Sequence, residues 1–117
     1  HNKLDRLRIM KILNIKDMKD GWFVGGFEPT AYFTKDFEVN YRTHPAGQKW
    51  DMHYHTTTTE INLLVSGRMI MQDKELTTGD IFIVEPWEIS DPVFLEDTTV
   101  ICVKTPSGND KKVIQHG

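Results

Sequence analysis

The sequence predicts an all-β protein, an antiparallel sandwich or barrel, on three observations. After Gly21 the chain runs as short segments rich in β-branched and aromatic residues. Turn residues separate these segments at close intervals, and no helical stretch intervenes.

Strands are expected at 22–24, 31–33, 37–43, 50–55, 60–65, 68–72, 81–84, 93–95 and 100–104. The breaks between them are Gly25-Gly26 with Pro29, Pro45-Ala46-Gly47, Ser66-Gly67, Asp73-Lys74, Thr78-Gly79, Glu85-Pro86 and Glu96-Asp97. Residues 1–20 form an N-terminal extension or first strand, 21–106 the barrel, and 107–117 a C-terminal tail. Before Gly21 the pattern is ambiguous. Leu4, Leu7, Met10 and Leu13 recur every third residue like a helical face, whereas Ile9 and Ile12 fit a strand equally well. The tail beyond Pro106 is polar and reads as loose, with Val113-Ile114 as its one docking point.

At 117 residues and 13.6 kDa the chain is one domain. A net charge of −3 argues against a nucleic-acid binder, which needs a basic surface to neutralise phosphates. No apolar run approaches the roughly 20 residues that span a bilayer, so no membrane partner is expected. The N-terminal stretch does not read as a secretory signal. The single cysteine, Cys102, excludes an intrachain disulfide and fits a reducing cytoplasm. It sits in the apolar run Val100-Ile101-Cys102-Val103 and reads as core packing rather than a nucleophile.

The chemistry concentrates between Gly47 and Gly67. His53 and His55 lie two apart in an expected strand, so their side chains share a face. Four threonines, Thr56 to Thr59, give the chain room to turn, and Glu60 opens the next strand beside the imidazoles. Two imidazoles and a carboxylate on adjacent strands suit a divalent transition metal such as Mn, Fe, Ni or Zn, with open positions for water or substrate.

This stretch resembles the first motif of the cupin superfamily, G-x5-H-x-H-x3–4-E-x6-G. Gly47, His53, His55, Glu60 and Gly67 meet every fixed position. At the chain's own residue frequencies such a match arises by chance roughly once in two million per start and spacing. The resemblance implies a double-stranded β-helix, or jelly-roll cupin barrel, with a metal held inside by the motif's His and Glu residues. The second motif, G-x5-P-x-G-x2-H-x3-N, is degenerate. Gly79 opens it, but proline arrives one residue late at Pro86, Glu88 replaces the glycine, and the closing Asn is missing. Counted from Pro86 the third His ligand falls on Asp91; counted from Gly79 it falls on Ser90. Asp91 is therefore the candidate fourth ligand, and its carboxylate tilts the chemistry toward non-redox or manganese.

Around this set, Trp87 is a candidate lid, while Asn62 and Arg42 are candidate substrate contacts. His44 is expected at the surface rim. Trp50 and Tyr54 have the opposite parity to the histidines and are expected to face outward. By the same parity Ile61, Leu63 and Val65 face outward, an apolar surface that predicts a homodimer. The function expected is a metal-assisted isomerase, epimerase or dioxygenase acting on a small polar, carbohydrate-like molecule. The alternatives are a non-catalytic small-molecule-binding cupin and a metal-free sugar isomerase using a barrel histidine as base.

Overall fold

The computed structural model describes residues 6–115; the expectations for residues 1–5 and 116–117 lie outside the described residues. Eleven strands form among the described residues: β1 (Trp22–Gly25), β2 (Tyr32–Phe33), β3 (Glu38–His44), β4 (His53–His55), β5 (Thr59–Ser66), β6 (Arg68–Met71), β7 (Lys74–Thr77), β8 (Ile81–Val84), β9 (Val93–Phe94), β10 (Thr98–Thr105) and β11 (Lys111–Val113). They make a six-stranded sheet ordered β2-β1-β3-β10-β5-β8, a three-stranded sheet β7-β6-β9 and a ribbon β11-β4. No described helix is long and apolar enough to cross a membrane.

Alternation along β5 drives the packing. Asn62 and Leu64 are buried, while Ile61, Leu63 and Val65 are exposed. Leu64 joins Met69, Met71, Val84, Phe94 and Val100 in the core, with Trp50, Leu76 and Phe82 packed against them. Burying each of the large side chains stabilises the fold by about 1.5–3 kcal/mol. Both core methionines come from β6 and Phe94 from β9, so this cluster clamps the three-stranded sheet onto the six-stranded one. Gly67, the last residue of the motif, links β5 to β6 at φ +104°, where a Cβ would stand 2.5 Å from the Asp97 carbonyl oxygen. Only glycine fits that turn.

The structure corrects the sequence reading at four places. Asp73-Lys74 was expected as a plain break, yet Lys74 begins β7, which pairs with β6. Gln72 and Asp73 both take positive φ (49° and 61°), the geometry of a two-residue hairpin turn without glycine. The tail is not loose: Lys111, Lys112 and Val113 pair with His55, Tyr54 and His53. Residues 50–52 are not strand, because β4 begins only at His53. Residues 7–14 form neither helix nor strand, and a single 3-10 turn, Ile15–Asp17, follows them.

Candidate functional site

The central strands build one polar wall in register. Glu38, Lys104 and Glu60 align across β3, β10 and β5; Asn40, Cys102 and Asn62 form the next row; Arg42, Val100 and Leu64 the third. With β4 and β9 opposite, this wall encloses a cavity of about 240 Å³. That is below the roughly 300–1,000 Å³ of drug-sized sites and suits a small molecule. At the Trp22 end Lys104 Nζ lies 3.4 Å from Glu38 Oε1 and over the Trp22 ring.

β4 delivers both histidines of the motif to the cavity, buried as their shared parity requires. His53 Nδ1 lies 2.8 Å from the Asp51 carbonyl oxygen, which can only accept, so Nδ1 carries the proton and Nε2 a lone pair. Burial, with a contribution from Lys111, lowers the His53 pKa against the opposing pull of that hydrogen bond. The ring is therefore neutral near pH 7. His55 is the opposite case. Its Nε2 lies 3.0 Å from Glu60 Oε1 and its Nδ1 2.8 Å from Asp110 Oδ1. The Glu60 hydrogen bond, followed by the one to Asp110, raises its pKa over the cost of burial. Burial pushes the Glu60 carboxyl up, but the His55 hydrogen bond and the His55 and Lys104 charges outweigh it and leave the pKa lowered.

Asp110 reaches this site from the segment before β11. Besides His55 it accepts from the backbone N–H groups of Thr56, Thr57 and Thr58 and from the hydroxyls of Thr57 and Thr58. The threonine run is thus a cradle for one carboxylate rather than slack for a turn. Burial works against that carboxylate, and the hydrogen bonds led by Thr57 more than offset it, holding its pKa far below the usual range.

The remaining candidates divide. Asn62 and Arg42 stand in the cavity wall. Asp91 does not: its Oδ1 accepts from the Gln72 N–H, bracing the β6–β7 turn, and Ser90 lines the cavity instead, paired with His53. The structure therefore follows the Gly79 count, and the carboxylate tilt toward non-redox chemistry loses its ground. Trp87 is exposed and stacks on Tyr54 with ring centroids 5.2 Å apart, outside the cavity. His44, expected at the rim, is buried: its ring stacks on Phe94 at 4.2 Å and its Nδ1 lies 2.9 Å from Gln48 Oε1. Trp50, expected outside, lines the cavity next to His44 and His53, because parity counting fails where residues 50–52 lie outside the strand. Asp110 and Lys111 carried no signal in the sequence beyond a polar tail.

No family model and no curated protein matches the chain. Solved structures do. One is an uncharacterized conserved protein with a double-stranded β-helix domain from Klebsiella pneumoniae, at 20% identity and a TM-score of 0.64 over 71% of this chain and 74% of that one. A second is KdgF from Halomonas sp., at 24% identity and a TM-score of 0.59 over 66% of this chain and 74% of that one. A third is a cupin protein from Bacteroides fragilis, at 21% identity and a TM-score of 0.54 over 72% of this chain and 75% of that one. The sheet topology, the buried motif histidines and these likenesses together establish that the chain has the cupin, or double-stranded β-helix, fold.

Proposed function

We propose that the chain is a small metal-binding enzyme whose His53, His55 and Glu60 hold one divalent ion in the cavity. The carrying observation is the pair of ring nitrogens fixed from behind. Asp51 O holds His53 Nδ1 and Asp110 holds His55 Nδ1, the arrangement that orients imidazole ligands in metal sites and leaves Nε2 for the ion. Among the described residues no three His, Cys, Asp or Glu side chains stand as a finished cage. His55 Nε2 and Glu60 Oε1 share a hydrogen bond instead. Adjacent ligands about 2.1 Å from an octahedral ion lie about 3 Å apart, so the 3.0 Å between these atoms suits coordination once the proton leaves. Ser90 at the third-ligand position leaves that place to water or substrate.

A bound divalent metal supplies Lewis-acid polarisation of a substrate carbonyl or enediolate, or activates oxygen in a dioxygenase. The chain's own groups exclude bulk water, orient the substrate on the Asn40 and Asn62 amides, and hold a proton at His55. Asp110 behind His55 favours a second reading in which His55 alone serves as acid or base without metal, as a sugar isomerase would use it. The wholly non-catalytic alternative predicts neither. We also take the active form to be a homodimer.

Elemental analysis and thermal unfolding with Mn, Fe, Ni or Zn separate these readings. Metal should raise the melting temperature of the wild type, because ligand that binds only the folded state stabilises it. The gain should vanish in the His53→Ala, His55→Ala double variant. An equal response in both proteins overturns the metal reading, and turnover of a sugar by chelated protein establishes the second.

A further inference from the structure

Two cations stand in this cavity without a counter-charge. The Arg42 guanidinium carbon lies 5.6 Å, and Lys111 Nζ 5.1 Å, from the centre of the Trp50 ring. One comes from β3 in the large sheet and the other from β11 in the ribbon, so the indole is where two sheets bring positive charge together. Among the described residues neither side chain takes part in an ion pair or a hydrogen bond. The third cation of the cavity, Lys104, is already paired with Glu38. Glu60, the one carboxylate among the described residues that line the cavity, is engaged by His55, and Glu38 at its edge by Lys104.

Trp50 is rigidly set. Its Nε1 donates to Gln48 Oε1 at 3.0 Å, the same oxygen that faces His44 Nδ1, and His44 is itself stacked on Phe94. The indole face attracts each cation but does not neutralise it. Two like charges on one ring, Arg42 half-buried and Lys111 exposed, repel, and a bound anion converts that repulsion into attraction. Arginine adds a planar donor fork that matches a carboxylate or phosphate edge.

We propose that Arg42 and Lys111, held on Trp50, form an anion clamp, and that the molecule taken by this cavity is a small organic anion bearing a carboxylate or phosphate group. The inference deepens the proposed function by naming the charge class of its ligand. It rests on this cavity being the ligand site, and it does not require the metal.

The test therefore uses the whole 117-residue chain in two states, chelated and Mn-loaded. Galacturonate, malonate and inorganic phosphate are titrated by calorimetry and thermal shift, with neutral galactose as the control. In the chelated protein galacturonate should bind at least about tenfold more tightly than galactose and weaken as salt rises. Arg42→Gln or Lys111→Gln should each reduce anion affinity about tenfold, and Arg42→Lys should retain part of it. The metal-induced rise in melting temperature should persist in all three. The order of the three probes assigns carboxylate or phosphate as the source of the charge. Arg68→Gln, on the exposed β6–β7 hairpin, should change nothing. The clamp is overturned if no anion binds, if galactose matches galacturonate, or if the Arg42→Gln, Lys111→Gln double variant binds within twofold of wild type. Loss of the metal response with anion binding intact would count against the metal reading alone.

Discussion

Asp110 accepts from six donors and joins the tail, the threonine turn and His55 into one network. Asp110→Ala should lower stability by about 2–3 kcal/mol, since it strips charged hydrogen bonds and leaves backbone donors unsatisfied; chemical denaturation measures this. The folded-state pKa lies below the unfolded value of about 3.9, so the contribution is complete above that value and is lost as pH falls from it toward the folded-state pKa. The stability gap between wild type and Asp110→Asn should therefore be widest above about pH 5 and narrow in acid. A gap that widens in acid would contradict the assignment. Asp91 makes the contrasting case: bracing one exposed turn, Asp91→Ala should alter stability by about 1 kcal/mol or less and leave the metal response unchanged. The histidine pair and Glu60 were legible because strand parity and motif spacing are local properties. Asp110 was not, because its meaning depends on threonines more than fifty residues away in the chain. The choice between Ser90 and Asp91 hinged on one residue of register at a turn, where spacing rules lose a residue without trace.

At the scale of elements, the two strands missing from the sequence reading are the polar ones. Lys74-Glu75-Leu76-Thr77 and Lys111-Lys112-Val113 each hold a single large apolar residue, and neither shows the alternation that marks a half-buried strand. Both form because a neighbour supplies the ladder: β6 for β7, and β4 for β11. β11 matters more, since its partner strand carries both motif histidines and its own Lys111 faces the cavity. A chain ending at Ser107 should melt well below the 117-residue chain. It should also lose the metal response, because β4 would retain neither its ladder nor Asp110. Full metal response in the truncated chain would show that β4 is positioned by the large sheet alone.

The whole molecule carries its apolar surplus on one face. The register sets Tyr41, Ile101, Leu63 and Ile81 in one row across β3, β10, β5 and β8, and Val39, Val103, Ile61 and Ile83 in the next. Ile81 and Ile83 are 67% and 54% exposed. Such a continuous apolar face is rare on a monomer. The N-terminal arm adds to it. Leu13 and Ile15 line a groove with Tyr41 and Ile101, at the start of the first row. Before them Leu7, Ile9, Met10 and Ile12 stand bare. With the arm extended, the radius of gyration is 17.0 Å, against about 13 Å for a compact chain of this length. We take a second copy as the occupant, because it would bring an identical apolar sheet face and an identical arm to one two-fold contact. Light scattering at micromolar concentration should therefore give twice the chain mass. Ile61→Asp with Ile83→Asp should give a soluble monomer whose cavity still answers to metal, since both side chains point away from it. A wild-type monomer at that concentration would overturn the dimer, and a double variant that stays dimeric would move the interface off this sheet and onto the arm.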